Sequence, residues 1–173
     1  MIEKIKEIIS ELKQTPFFKG LSQKHLSMLT NAASVEYYNK DDYVIKEGDI
    51  ANKFYIVVSG QLDILTTEEP NHDHAIVLQS LNPHEVLGWS WIIPPNQWRF
   101  DAIATEAETK LLVFDGKQLS VNFIEDYSFG YELMYRFSFL LSMRLEMTRL
   151  KLHEVNDQLS SSIKKIQKLK KTT

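Results

Sequence analysis

The residues best suited to chemistry are concentrated between positions 88 and 102. This stretch holds all three tryptophans of the chain, the adjacent prolines Pro94–Pro95, and both Arg99 and Asp101. An arginine beside free backbone N–H groups is typical of anion binding, because the guanidinium adds a fixed positive charge to those donors. Prolines remove N–H donors and indoles add apolar volume, so the same stretch also opposes an anion site. The candidate ligand-binding residues are Gly88, Trp89, Ser90, Trp98, Arg99, Phe100 and Asp101.

A second cluster, His72-Asp73-His74 beside Glu68-Glu69, has the residue types of a metal site. Metal sites in β folds need ligands on strands that face the interior, with further ligands at suitable spacing. These histidines lie in a polar, proline-containing loop, so we expect no metal there. The chain has no cysteine, which excludes thiolate sites and cysteine nucleophiles. Ser90 lacks the Gly-x-Ser-x-Gly context of a nucleophile, and we expect no catalytic residues.

Strand-like segments flank the tryptophan-rich stretch and must position it. Between residues 35 and 116, about eight short segments rich in β-branched and aromatic residues are separated by turn residues. Phe54–Val58 is the clearest of them. Such spacing without intervening helices predicts a mainly β fold, a sandwich or barrel. Residues 1–34 predict a helical lead, which breaks at Thr15–Pro16 and resumes after a capping Ser22.

The last part of the chain predicts one long helix from about Ser128. Apolar residues recur there in alternating steps of three and four, which is the a/d pattern of a coiled coil. Forty helical residues would reach about 60 Å, farther than a small β domain can cover. We therefore expect a homodimer, with a helix folded back on its own domain as the alternative. The predicted seam residues are Leu141, Leu145, Leu152, Val155, Leu159 and Ile166.

The sequence from Gly48 to Gly60 resembles the second and third strands of a cyclic-nucleotide-binding domain. It has the glycine, the acidic and small residues, and the aromatic-aromatic-Ile strand that ends at a glycine. Val86–Gly88 matches the point where the family's strand enters its phosphate-binding cassette. The resemblance implies a mainly β fold with flanking helices: a double-stranded β-helix (a jelly roll or β-roll) followed by a long C-terminal helix like that of catabolite-activator-type regulators. The implied parts are a helical lead (1–34), the β-roll (35–116) and the C-terminal helices with the dimerisation helix (117–173).

The cassette departs from the family's ligand-binding pattern. Members that bind a cyclic nucleotide carry a glutamate after the cassette glycine, where this chain has Trp89. They also carry an arginine before a small-residue pair, where this chain has Trp98 or Arg99 followed by Phe100–Asp101. A carboxylate near an anionic phosphate opposes binding. Three interpretations stay open: a cassette filled by its own indoles, a site for a more apolar or aromatic ligand, or a cyclic-nucleotide site that uses Arg99. Arg99 and Asp101 could equally form a structural ion pair.

The resemblance implies a regulatory or sensory module and not an enzyme, with a cyclic nucleotide as candidate ligand and no assigned cofactor. Occupancy of the cassette would alter the packing of the hinge before the long helix, and so the way two long helices meet. Two alternatives remain, a ligand-free scaffold that assembles a protein complex and a cupin-type metalloenzyme with metal at His72 or His74. The aromatic residues near the hinge, which we interpret mainly as core residues, are Tyr127, Phe129, Tyr131, Tyr135, Phe137 and Phe139.

Composition narrows the possible partners. The net charge of −3 gives the chain as a whole no attraction for nucleic acid or anionic membranes. The lysine-rich end is expected to be a solvated helix terminus. Because the sequence ends at Thr173 without a helix-turn-helix domain, we expect no direct DNA binding. The lack of a signal peptide or a long apolar run predicts a cytoplasmic protein with no membrane span.

Overall fold

The computed structural model describes residues 2–67 and 75–170, and in these residues eight strands form a β-roll with flanking helices. This confirms the predicted fold class. The helices are α1 (Ile2–Gln14), α2 (Gln23–Ala32), α3 (Gly116–Glu125) and α4 (Tyr127–Lys170), with a 3-10 turn at Pro16–Phe18. The strands are β1 (Ala33–Tyr38), β2 (Tyr43–Ile45), β3 (Lys53–Ser59), β4 (Leu62–Thr67), β5 (Ala75–Leu81), β6 (Val86–Leu87), β7 (Asp101–Ala104) and β8 (Thr109–Asp115).

The strands form two four-stranded antiparallel sheets. The first has the order β1-β8-β3-β6 and the second the order β2-β7-β4-β5. Strands that are neighbours in a sheet are often far apart in sequence, as expected for a roll in which the chain alternates between two sheets. The tryptophan-rich stretch lies between β6, at the edge of the first sheet, and β7, inside the second. It therefore crosses from one sheet to the other.

Strand β3 is buried on both of its faces, which explains its run of apolar residues. Phe54 packs on the helical side, where its ring stacks on Phe114 of β8 at 4.3 Å and lies 6.5 Å from Phe18. Tyr55 points to the opposite side because successive side chains alternate along a strand. We call these two sides of the first sheet the helix face and the inner face; the inner face is turned towards the second sheet.

The ends of the helices follow capping rules that the sequence contains. Helix α1 ends at Gln14, just before the predicted break at Thr15–Pro16. The Ser22 side chain accepts a hydrogen bond from the His25 N–H at 3.1 Å and begins α2, as predicted. The Asp115 carboxylate accepts from the Gln118 N–H at 2.8 Å and begins α3. These caps place the helices against the roll at defined points.

The chain divides into two compact units, Met1–Glu132 and Leu133–Thr173. In the residues that the structure describes, the second unit is the part of α4 at residues 133–170, and α4 as a whole has 44 residues, about 66 Å at ~1.5 Å per residue. In the single chain the predicted seam side chains Leu145, Leu152, Val155 and Leu159 are exposed and Leu141 is partly exposed. The side chain of Ile166 lies outside the described residues.

The aromatic residues near the hinge differ from their interpretation as mainly core residues. Phe129 and Phe137 are buried, whereas Tyr127, Tyr131, Tyr135 and Phe139 are exposed in the single chain. A strict spacing of four explains the exposed set, because residues four apart share one face of a helix. Sequence reasoning interpreted most of the six as core residues because aromatic type alone does not tell which face of a helix is covered.

Candidate functional site

The cassette segment, residues 88–101, runs in turns and is held by backbone hydrogen bonds to the turn at 48–51. The Trp98 N–H donates to the Asp49 carbonyl at 2.9 Å, and the Gly48 N–H donates to the Trp98 carbonyl at 3.0 Å. The Ala51 N–H donates to the Asn96 carbonyl at 2.8 Å. Because this pairing fixes the backbone on both sides of Gln97, the position of the Trp98 side chain is defined by the fold.

An asparagine closes the turn that the prolines open. Asn96 has φ 57°, a left-handed conformation that asparagine tolerates better than most residues. Its side-chain amide donates to the Trp91 carbonyl at 2.7 Å and to the Ser90 carbonyl at 3.3 Å. Pro94–Pro95 cannot supply such donors because proline has no N–H. No part of the cassette segment is helical. It therefore lacks the helix N-terminus that would concentrate N–H donors on an anion.

Trp98 fills the space beside the cassette glycine on the inner face. A Cβ atom on Gly88 would lie 2.9 Å from both Cη2 and Cζ3 of the Trp98 indole, closer than ordinary packing allows. Gly88 also has φ +94°, which favours glycine. The Trp98 ring lies 6.3 Å from the ring of Tyr55, and Trp98 is 6% exposed. An indole thus occupies one of the two positions that aligned with the family's phosphate-binding arginine.

Trp91 packs on the other side of the first sheet. Its ring lies 6.1 Å from Phe54, nearly parallel to it, and 5.9 Å from Phe123 of α3. A Cβ atom on Gly116 would lie 2.8 Å from Cε3 of the same indole. One short segment therefore sends two buried tryptophans to opposite faces of β3, each against a glycine.

The remaining candidate residues are placed at the surface. Trp89 and Ser90 are partly exposed, and Arg99 and Phe100 are exposed. Asp101 begins β7, and its carboxylate accepts a hydrogen bond from the Glu47 N–H at 2.7 Å. This bond gives the Asp101 carboxylate a structural partner in the turn before β3.

A polar cluster on the inner face was not singled out from the sequence. Glu36 of β1 accepts hydrogen bonds from the Tyr38 hydroxyl at 2.7 Å and from Lys53 Nζ of β3 at 3.1 Å. Partial burial alone would raise the pKa of Glu36. The hydrogen bonds from Tyr38 and Lys53 outweigh burial, so the pKa of Glu36 lies below its usual range. Burial, together with the nearby Glu36 charge, raises the pKa values of Tyr38 and Tyr55. The sequence signal that could have revealed this cluster is the two-residue repeat of a β-strand, which puts Glu36 and Tyr38 on one face of β1.

Aromatic contacts lead from the cassette segment to the first turn of α4. Trp91 contacts Phe123 of α3, and Phe123 meets the buried Phe129 of α4 edge-on at 5.6 Å. The Phe129 ring lies 5.4 Å from the ring of His25 in α2. These four rings connect the cassette segment, α3, α4 and α2 within the first unit.

Asp126 fixes the junction between α3 and α4. It accepts hydrogen bonds from the Ser128 hydroxyl at 2.6 Å and from the Ser128 and Phe129 N–H groups at 3.0 and 3.2 Å. Lys24 Nζ of α2 lies 2.5 Å from its other oxygen, and His25 Nε2 lies 3.7 Å from that oxygen. The Lys24 ammonium, followed in importance by the Ser128 and Phe129 donors, holds the pKa of the Asp126 carboxyl well below its usual range.

The metal interpretation falls on residues that the structure does not describe. His72, Asp73, His74, Glu68 and Glu69 all lie outside the described residues. Within residues 2–67 and 75–170, no three histidine, aspartate or glutamate side chains are grouped closely enough to hold a metal ion.

Comparison with known families decides what kind of domain holds this site. The family model of the cyclic nucleotide-binding domain matches residues 35–124, about half of the chain. The chain belongs to the cyclic nucleotide-binding domain family. The family is one of regulatory domains, and the matched region contains nearly all of the β-roll, the cassette segment and most of α3.

Curated relatives of this cyclic nucleotide-binding domain include protein kinases. The chain is 29% identical over 104 residues to human cGMP-dependent protein kinase 2, which covers 60% of this chain but 14% of the kinase. It is 38% identical over 53 residues to the cAMP-dependent protein kinase regulatory subunit of Eremothecium gossypii, covering 31% of this chain and 12% of that subunit. The chain thus spans a small part of the curated relatives that it matches.

Solved structures share the fold. A cyclic nucleotide-binding domain from Methylobacillus flagellatus has a TM-score of 0.68 at 16% identity, covering 83% of this chain and 79% of that one. The catabolite activator protein of Thermus thermophilus has a TM-score of 0.66 at 20% identity, covering 82% of this chain and 63% of that one. Within the part of this chain that the structure describes, none of the helices has the length and apolar character needed to cross a bilayer.

Proposed function

We propose that this chain is a regulatory module of the cyclic nucleotide-binding family whose cassette is not built to hold a cyclic phosphate, and that it acts as a homodimer joined through α4. The observation that carries the first part is the Trp98 indole packed on Gly88. A cyclic phosphate needs a fixed cation and free N–H donors at this place. The buried indole offers neither, and Arg99 lies at the surface.

The dimer is supported by the exposed seam of α4. Four of the predicted seam side chains are large, apolar and exposed in the single chain, at spacings of three, four and seven. A helix with such a face gains stability by burying it against another helix. A second copy of the chain supplies an identical face, and a two-fold axis makes the contact self-complementary.

The proposed mechanism links the two parts through the junction. Trp91 contacts Phe123, and Phe123 in turn contacts Phe129, so that ring contacts lead from the cassette segment to the start of α4. Because packed rings cannot move independently, a change in the cassette segment would alter the packing of the first turn of α4. In a homodimer, that change would alter how the two copies of α4 meet.

Calorimetric titration of the purified full chain with cAMP and with cGMP tests the first part. We expect no heat of binding for either nucleotide at millimolar concentration. Saturable binding of either one that is lost in Arg99→Ala would overturn the proposal and restore the interpretation of Arg99 as a phosphate ligand. Saturable binding that Arg99→Ala retains would also overturn it.

Light scattering on matched variants tests the second part. Leu152→Lys introduces a charge on the seam, whereas Leu150→Lys introduces the same charge at a similarly exposed position off the seam; the two leucines are 69% and 57% exposed. We expect the full chain to have a dimer mass, Leu152→Lys to shift it towards the monomer, and Leu150→Lys to leave it unchanged. A monomer mass for the unmodified chain would contradict the dimer.

A ligand-free scaffold is the second candidate function. Burial of both Trp91 and Trp98 in the core favours it, because side chains of the cassette segment then fill space that a ligand would use. It predicts a dimer that binds no small molecule.

A further inference from the structure

The seam of α4 is bordered by positive charge. In a heptad repeat, positions a and d form the seam, and positions e and g lie along its two edges. Leu145 and Leu152 occupy a positions and are exposed in the single chain. Arg144 and Lys151, each one residue before an a position, therefore lie at g, and Arg149, three residues before Leu152, lies at e. In the part of the chain that the structure describes, neither Arg149 nor Lys151 forms an ion pair with an acidic side chain.

The acidic residues of the same part of α4 lie away from the seam. Between residues 138 and 164, every charged residue at an e or g position is basic. The acidic residues Glu146, Glu154 and Asp157 occupy positions b, c and f. At about 100° per residue, these positions are about 140–160° around the helix from the seam. The two signs of charge are therefore segregated, with the positive charge beside the apolar face.

Like charges at the edges oppose the meeting of two copies of the seam. In a parallel dimer, a g residue faces the e residue of the next heptad in the other helix, so Arg144 would face Arg149 of the second copy, twice by symmetry. In an antiparallel dimer, e faces e and g faces g, so basic residues would again meet. Thr148 adds a polar residue at a d position. The seam favours association, whereas its edges favour a helix with acidic residues over a second copy.

A nucleic acid is also anionic, but it fits this surface less well. The basic residues border exposed leucines, and a phosphate backbone does not cover such a row of apolar side chains. The acidic opposite face of α4 would also repel a long polyanion. A helix with apolar residues at a and d and acidic residues at e and g meets both requirements, because it buries the leucines and pairs with the basic edges.

We propose that the α4 seam binds an amphipathic helix of another protein whose e and g positions are acidic, and that this helix takes the place of the second copy. Arg149 and Lys151 pair with carboxylates of the partner helix, while Leu145 and Leu152 pack on its apolar face. The homodimer is the form of the chain without this partner, and exchange between the two forms regulates the module. This inference rests on the part of the proposed function that makes the α4 seam an interface.

Fluorescence anisotropy with two labelled peptides tests the class of partner. Both peptides copy residues 138–166, and one carries Glu whereas the other carries Lys at every e and g position. Titrated with the full chain, the acidic peptide should bind at least about tenfold more tightly, because ion pairs replace like-charge contacts. Equal or tighter binding of the basic peptide would overturn the inference. Tighter binding of a short labelled DNA duplex would also overturn it, since the edges would then be a nucleic-acid surface.

Matched charge reversals test the edge residues. Arg149→Glu should weaken binding of the acidic peptide at least about threefold and should tighten the homodimer, because the new carboxylate faces Arg144 of the second copy in a parallel dimer. Lys164→Glu is the control, since it changes the net charge equally at an exposed f position away from the seam. It should leave both affinities unchanged. Unchanged peptide binding in Arg149→Glu, or an equal loss in Lys164→Glu, would overturn the assignment of the edges.

Light scattering on the full chain, alone and with the acidic peptide, separates the two proposals. A dimer that the peptide converts to a one-to-one complex supports both. If the chain is a dimer and the peptide does not bind, the inference is wrong and the homodimer stands. If the chain is a monomer that binds the peptide, the homodimer is wrong and the inference stands. A monomer that does not bind the peptide contradicts both.

Discussion

The helix face and the inner face of β3 receive one tryptophan each from the same cassette segment, and their surroundings differ. Around Trp91 the neighbours are apolar rings, Phe54 and Phe123. Around Trp98 the neighbours are Tyr55 and Gly88, and the same face of the sheet also carries the partly exposed pair of Lys53 and Glu36. Equal burial therefore does not mean an equal role. The helix face is built for packing, whereas the inner face keeps charged groups within reach of solvent.

Replacing each tryptophan by alanine gives the largest expected effects. Trp91→Ala should lower the free energy of unfolding by about 3–5 kcal/mol, because it leaves a cavity lined by rings that water does not fill. Trp98→Ala should cost about 3 kcal/mol or less, because the inner face carries polar groups that water reaches. Urea unfolding of both variants measures this. A larger loss for Trp98→Ala would reverse the comparison of the two faces.

The glycine under Trp98 gives the next largest effect. Gly88→Ala combines a strained backbone at φ +94° with a methyl group 2.9 Å from the indole, and should cost about 2–3 kcal/mol. Gly48→Ala is the control: its φ is +84°, but its Cβ would meet nothing within 4 Å. It should cost about 1 kcal/mol, the backbone part alone. Equal losses in urea unfolding would mean that Trp98 moves aside without cost.

The junction below the helix face should show a pH-dependent effect. Hydrogen bonds and the Lys24 ammonium depress the pKa of Asp126 in the folded chain, so its stabilisation is present above the ordinary carboxyl pKa and is lost as the pH falls through the folded value. Asp126→Asn should therefore lower Tm most at neutral pH, and the difference from the unmodified protein should shrink below about pH 4. Thermal melts from neutral to acidic pH measure this.

A double variant locates the cause of that pH dependence. If Lys24 is the main partner, adding Lys24→Met to Asp126→Asn should lower Tm by less than the sum of the two single changes. Additive changes would show that the carboxylate acts chiefly as the cap of α4.

Arg99 belongs to neither face, and its replacement should have the smallest effect. Arg99→Ala should change the free energy of unfolding by no more than about 0.5 kcal/mol, the usual range for an exposed position. A loss above about 1 kcal/mol in urea unfolding would show that its guanidinium has a structural role on one of the two faces.

The sequence was sufficient for the fold, whereas its assignment of the cassette stays a prediction. The strand pattern, the break at Thr15–Pro16, the Ser22 cap and the long α4 can be predicted because each depends on local conformational preference or on a periodic pattern. The sequence predicts an altered cassette in the tryptophan-rich stretch, because Pro94–Pro95 have no N–H groups and Trp89 stands where a carboxylate is expected.

The environment of each cassette side chain was decided only by tertiary structure. Sequence spacing could not tell that Trp91 and Trp98 lie on opposite faces, because the segment between them runs in turns that have no fixed period. The direction of its side chains depends on the pairing with residues 48–51. The meeting of Glu36 with Lys53 joins strands that are distant in sequence, so the register of the first sheet determines it. Local preference is a property of short stretches of chain, whereas a site is assembled from residues that only the packed sheets bring together.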